Sequence, residues 1–402
     1  MKNAGKACNN RLYRHIRTFE KIVKNYFVIY SDISKHKKCE KYFSDSKNEG
    51  GFGMVEKTIF GTMEDGREVS RYTLTNQNGV SASFLDLGAI WSTMLVPDRN
   101  GEMADVLLGH ETVADCLVSD GHLGEAVGRN ANRIGGAAFT LNDKKYELTA
   151  NDGPNNLHSG MDFYRNRIWA AEYETGVNQV SFTLESPDGD QGYPGNASIR
   201  VTYTLTDENE VKIHYEGTCD QDTIFNMTNH AYFNLAGHES GPALSQMVYI
   251  DSDAITAVDK VLIPTGEIRK VMGTPMDFSD FKPIGRDIEA DYDQLKLGGG
   301  YDHNWILNHE SGVFSLAAAA IDEESGRKME VYTDLPGVQF YTGNFLDGQV
   351  PGKGGVKYAR RQGYCFETQY YPNAVNMPGF ASPIVKKGGK YDTTTSYKFM
   401  TV

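Results

Sequence analysis

Two adjoining segments of the chain alternate apolar and polar residues, and no other feature restricts its fold so strongly. Across 197–206, Ala197, Ile199, Val201, Tyr203 and Leu205 fall on one face; across 210–219, Val211, Ile213 and Tyr215 do the same. A period of two belongs to strands with one buried face. The join Asp207-Glu208-Asn209 is short enough to make the two strands antiparallel neighbours. Segments 67–75 and 80–86 read as a further pair, joined by Asn76-Gln77-Asn78-Gly79 with its Asn-Gly turn signal. Strands are also expected over 88–96, 180–185, 330–334 and 337–341, and a hairpin from 139–141 to 146–148. Segment 111–120 is the one helix-like piece near the first strands. The expectation is a β-rich protein of antiparallel strands.

Composition narrows the function. The chain holds 42 Gly, 23 Tyr and 19 Phe, a balance of turns and aromatic surfaces that suits sugars as ligands. A formal net charge of −13 argues against nucleic acid and anionic membranes as partners. Cys8, Cys39, Cys116, Cys219 and Cys365 are scattered, odd in number and without a CxxC pair. They read as reduced thiols of a cytoplasmic protein rather than a disulfide framework or zinc site. The first fifty residues carry twelve Lys/Arg against five Asp/Glu, and their apolar run Tyr26-Phe27-Val28-Ile29-Tyr30 is too short to span a membrane. Residues 1–53 therefore read as a basic, disordered extension, and 54–402 as the folded domain. Glu49-Gly50-Gly51 can be encoded by a purine-rich ribosome-binding sequence at the usual distance from Met54. On that reading 1–53 is translated upstream sequence and Met54 the true start; the alternative is a genuine tail or Gly-rich linker.

Chemistry-bearing residues stand at strand ends. Thr228-Asn229-His230-Ala231-Tyr232-Phe233-Asn234-Leu235 follows an apolar run at 223–227 that reads as a strand. His230 titrates near neutrality when unperturbed, so it can give or take a proton; taken alone, a satisfied core histidine is the simpler reading. Arg133 precedes the 139–148 hairpin and His158 follows it, so the hairpin can bring them side by side. Asp302 and His303 are adjacent at the start of a strand and point to opposite faces, which disfavours a metal pair. Glu367 lies in the apolar run Tyr364-Cys365-Phe366-Glu367-Thr368, where a charge is costly unless used or paired. Walker A, GxGxxG, HExxH and Gly-x-Ser-x-Gly patterns are absent from the sequence.

In order along the chain, N-R-I at 132–134, L-H-S-G at 157–160, T-N-H-A-Y-F-N-L at 228–235, Y-D-H-N-W at 301–305, V-Q-F-Y-T-G-N-F-L-D-G at 338–348 and E-T-Q-Y-Y-P-N-A-V-N at 367–376 resemble the aldose 1-epimerases, or galactose mutarotases. The resemblance runs from about residue 56 to the C-terminus. It implies an all-β fold, a large antiparallel β-sandwich with the sugar in an open cleft. It implies Glu367 as the general base at the C1 hydroxyl, His230 as the acid at the ring oxygen, and His158 as a second histidine beside that oxygen. Asn132, Arg133, Asp302 and Gln339 match positions that bind sugar hydroxyls. Ser159-Gly160 stands where the family usually has Gly-Gly, Asn373 where it has Asp, and Asn130 where it is more often apolar; these bear on substrate preference.

The implied reaction converts α and β anomers of free aldohexoses such as galactose and glucose, with no metal or organic cofactor. Its partner is the sugar alone, and a monomer or weak dimer suffices. Opposite charges in one cleft would favour a protonated His230 beside an ionised Glu367. The rivals are a glycoside-active enzyme using Asp302 and Glu367, and a non-catalytic sugar-binding protein on the same fold.

Overall fold

The structure is a computed structural model that describes residues 54–174 and 176–402. The expected extension 1–53 lies outside the described residues. The described chain is mostly antiparallel strand, as the alternating patterns required. One sheet has nine strands, in the order Ala170–Tyr173, Gln179–Ser186, Ala197–Leu205, Glu210–Cys219, Lys390–Thr401, Arg327–Thr333, Ser315–Ile321, Met247–Ile250 and Lys282–Pro283. The two alternating segments pair as expected, with Val201 opposite Tyr215. The C-terminal strand enters beside them, setting Tyr397 opposite Val211.

Two five-stranded sheets cover the buried face of this large sheet. The first runs in sequence order from Met54–Thr62 through Glu68–Thr75, Ser81–Leu85 and Trp91–Pro97 to Met103–Asp105. Its Phe84 ring stacks on Tyr203 at 4.1 Å, and Trp91 meets Tyr397 edge-on. The second has the order Pro264–Lys270, Ser252–Val258, Asp302–Leu307, Gly337–Tyr341, Cys365–Gln369. Its Trp305, Phe340 and Phe366 join the same buried cluster as Val331 and Met329 of the large sheet. The result is the expected antiparallel β-sandwich.

Three expected elements came out differently. The strand expected over 88–96 begins only at Trp91, because Gly88 and Ala89 take positive φ of 64° and 47°. Gly88 must turn there: a Cβ would stand 2.5 Å from the Arg165 Cα. The apolar run 223–227 is not one strand. Thr223–Ile224 pairs with Ile384–Val385, and Thr228–Asn229 with Ala126–Val127. The helix shrinks to Val113–Val118, capped by the Thr112 side chain accepting from Asp115 N–H.

Candidate active site

The second five-stranded sheet has one apolar and one polar face, both buried. Val338, Phe340, Trp305 and Phe366 point into the core. Because side chains alternate, Asp302, Asn304, Gln339, Cys365, Glu367 and Gln369 share the other face. Glu367 lies opposite Gln339, and Gln339 opposite Asn304. This polar face forms the floor of a cleft of about 320 Å³, lined by Asn132, Arg133, His158, His230, Asp302 and Glu367 among others. Six of the seven residues expected from the sequence therefore meet in one cleft. The seventh, Gln339, stands behind it: its amide donates to Asp302 Oδ1 at 2.7 Å and accepts from Gln369 Nε2 at 3.2 Å.

Arg133 and His158 meet because Arg133–Ile134 pairs with Asn156–Leu157 across the hairpin. Asn132 and His158 both take left-handed backbone, φ 61° and 52°, and bond each other twice. His158 N–H donates to Asn132 O, and Asn132 N–H donates to His158 Nδ1, both at 3.1 Å. An Nδ1 that accepts must be unprotonated, so in neutral His158 the proton is on Nε2. Arg133 Nε donates to Asp152 at 2.7 Å. Asn373 N–H donates to Arg133 O, and its Oδ1 accepts from Gly135 N–H at 3.0 Å. Ser159 Oγ bonds the backbone N–H and C=O of Asn130, each at 2.9 Å. The three family departures thus bond backbone behind the cleft and line none of it.

His230 is held through its backbone. Its N–H donates to Glu125 O and its C=O accepts from Gly124 N–H at 2.9 Å. Gly124 has φ +78°, and a Cβ there would lie 2.2 Å from the Trp91 carbonyl oxygen, so only glycine fits. The His230 ring is sandwiched between His122 at 5.6 Å and Tyr232 at 5.1 Å, with His158 and Tyr341 edge-on. Its Nδ1 faces Cys365 Sγ at 3.5 Å, and its Nε2 stands 3.7 Å from Glu367 Oε1.

The charge states differ from the sequence-based expectation. Burial lowers His230 to about 3, aided by the neighbouring His122 and opposed by Glu125. Burial also raises the Glu367 carboxyl well above the ordinary range, aided by Asp302 and opposed by Arg133. Desolvation is the largest cause for both groups, since nearly all of each side chain is buried. Burial thus favours the neutral form of each group, the reverse of the charged pair expected from the sequence. His158 is pushed well down by burial, then by the two neighbouring histidines.

The donor atoms of His158, His230 and Glu367 lie within 4.8 Å of one another, a spacing compatible with a metal ion. The donor set does not fit one. With Asn132 N–H on Nδ1, His158 offers the cleft an N–H and not a lone pair. Among the described residues Cys116, Cys219 and Cys365 are free and buried, and no helix is long and apolar enough to cross a membrane.

Sequence reasoning missed His122, which lines the cleft against both other histidines. The spacing His122-x-x-Glu125 was available as a signal. Nothing in that stretch, however, tied it to residue 230.

A family description for aldose 1-epimerase matches residues 70–398. Galactose mutarotase of Bos taurus is 39% identical over 345 residues, covering 86% of this chain and 98% of its own. Aldose 1-epimerase of Haemophilus influenzae is 39% identical over 351 residues, covering 86% and 100%. Among solved structures, an aldose epimerase homologue from C. elegans superposes with TM-score 0.76 at 29% identity, covering 87% of this chain and 99% of its own. Galactose 1-epimerase from Lactobacillus acidophilus gives 0.75 at 27%, with the same coverage.

Proposed function

The chain belongs to the aldose 1-epimerase family, and we infer from that premise how its own side chains interconvert the α and β anomers of a free aldose. The observation that carries the inference is the 3.7 Å between His230 Nε2 and Glu367 Oε1. One base and one acid this close can serve the two ends of a C1–O5 unit. Glu367 takes the proton of the C1 hydroxyl, and His230 gives a proton to the ring oxygen. The C1–O5 bond breaks, C1 becomes an aldehyde and O5 a hydroxyl. Rotation about C1–C2 and the reverse transfers close the ring on the other face. Each positioned transfer contributes about 10²–10⁴-fold.

The proton inventory closes on one proton. Ring opening starts from ionised Glu367 and protonated His230 and ends with both neutral. The neutral pair is the form that burial favours in the free protein, so the dry cleft stabilises the opened sugar relative to the charged pair. Sugar hydroxyls at the carboxylate, with Arg133 nearby, offset the cost of the ionised form. His158 adds an N–H donor beside the ring oxygen, where charge develops. Asn132, Arg133 and Asp302 hold hydroxyls, and Gln339 orients Asp302 from behind.

Galactose and glucose are the proposed substrates, taken by residues 54–402 acting as a monomer or weak dimer in the cytoplasm. The family match within 70–398 and the free buried thiols support that placement. The test is polarimetry or NMR of freshly dissolved α-D-galactose and α-D-glucose. Acceleration towards anomeric equilibrium by the protein is expected. Unaccelerated mutarotation of every free aldose tried would refute the reading.

A further inference from the structure

One histidine of the cleft has no part in the acid–base pair. His122 stands on a tight turn at φ +56°, and its Nδ1 lies 2.6 Å from Glu125 Oε1. Glu125 is buried, which alone would raise its carboxyl. His122, its hydrogen bond and then Arg165 reverse that and hold it below the ordinary range. The ionised carboxylate accepts, so Nδ1 donates to it. Arg165 backs the carboxylate with Nε 3.6 Å from Oε2. Phe163 closes the outer side of the His122 ring at 5.1 Å. The Nε2 edge has no protein hydrogen bond among the described residues, and the residue lines the cleft. A buried carboxylate thus fixes an imidazole whose free edge opens to the cleft.

We propose that His122, oriented by Glu125, reads the exocyclic hydroxymethyl group of an aldohexose through a hydrogen bond between Nε2 and the C6 hydroxyl. This rests on the acid–base reading above. In that reading Glu367 marks C1 and His230 marks the ring oxygen. The ring atom beyond the oxygen is C5, which carries the hydroxymethyl group in hexoses and only hydrogen in pentoses. Glu367, His158 and His230 cluster within 4.8 Å. His122 extends the wall past the two histidines, 5.0 Å from His158 and 5.6 Å from His230. His122 therefore adjoins the ring-oxygen end of the pair and stands outside the cluster that holds Glu367, the end next to C5.

The test compares anomerisation of D-galactose, 6-deoxy-D-galactose and L-arabinose by the wild type and two variants. L-arabinose keeps the galactose ring configuration and lacks C6. His122→Phe keeps the ring volume and removes the hydrogen-bonding edge. It should lower kcat/KM for galactose about tenfold or more relative to the other two sugars, because a site built to bond a hydroxyl discriminates against sugars that lack it, while any effect passed through the neighbouring His158 and His230 rings is common to all three. Glu125→Gln, which loosens the ring without removing it, should shift the same ratio in the same direction. An equal fall for galactose and 6-deoxygalactose would reduce His122 to a packing role and overturn the proposal, as would unchanged galactose kinetics. The two sugars that lack the C6 hydroxyl report whether each variant is folded. A wild type inactive on all three sugars would instead overturn the acid–base reading beneath it.

Discussion

Asn132 N–H donates to His158 Nδ1 at 3.1 Å, while His158 N–H returns a bond to Asn132 O. This exchange sets the tautomer of a cleft histidine by backbone alone. His158 then acts as a fixed donor rather than a base or a metal ligand.

Replacing His158 with Asn should therefore lower kcat by about 10²–10³, the usual cost of losing one donor aimed at developing charge. KM should change much less. Progress curves on α-D-galactose over a range of concentrations separate the two. A KM effect alone would make His158 a ground-state contact.

Glu367→Gln and His230→Asn should each cut turnover by about 10²–10⁴ while sugar binding, measured by calorimetry, survives. Near wild-type turnover in Glu367→Gln would end its assignment as the base.

The pH profile follows from the shared proton. A second proton, added at His230, destroys the charged pair in the acid limb; removing the only proton, from Glu367, destroys it in the alkaline limb. His230 is lowered to about 3 and Glu367 raised by burial. Hence kcat/KM should show no acid limb at pH 6.5, where an ordinary histidine titrates. Polarimetry corrected for spontaneous mutarotation measures it. An acid limb centred near 6.5 would mean that burial does not control His230.

Gln339 should act through Asp302. Gln339→Leu removes the 2.7 Å bond to the carboxylate and should raise KM about three- to tenfold with kcat largely kept, the effect of one such hydrogen bond. Gln339→Glu sets a like charge against Asp302 and should be worse. Equal KM values in both variants and wild type would show that Asp302 needs no support.

His303, whose Nδ1 accepts from Asp302 N–H on the other face of the strand, provides a stability test. Burial lowers it to about 4, opposed by Asp302. Its folded value lies below its unfolded one, so the neutral form's contribution is complete above pH 6.5 and is lost as the pH falls from there through about 4. Between those limits the unfolded chain binds the extra proton. The stability of His303→Gln should therefore fall less steeply with acid than wild type, by about 1.4 kcal/mol per pH unit for one proton. Parallel curves from denaturant titrations at several pH values would contradict the burial of an ionisable ring there.

Some of this was legible from the chain and some was not, for reasons visible at particular residues. The hairpin after Arg133 brought His158 to its side because short antiparallel connections leave little choice. His122 escaped notice because its link to His230 is backbone pairing between 124–127 and 228–230, a contact across about a quarter of the chain. The sequence left the face of Gln339 open, and it had no means of placing Asp302 between Gln339 and the cleft.

The sequence by itself determined the antiparallel strands, through period two and short turns. Its ordered motifs also determined the family. The tertiary structure alone decided that burial favours the neutral form of each member of the pair. The charge on Glu367 or His230 depends on how completely distant strands exclude water from it, and alternation along one strand contains no information about that. The same holds for the Nε2–H of His158, set by a backbone amide 26 residues away, and for the three neighbouring histidine rings, which meet only when separate loops converge over one sheet.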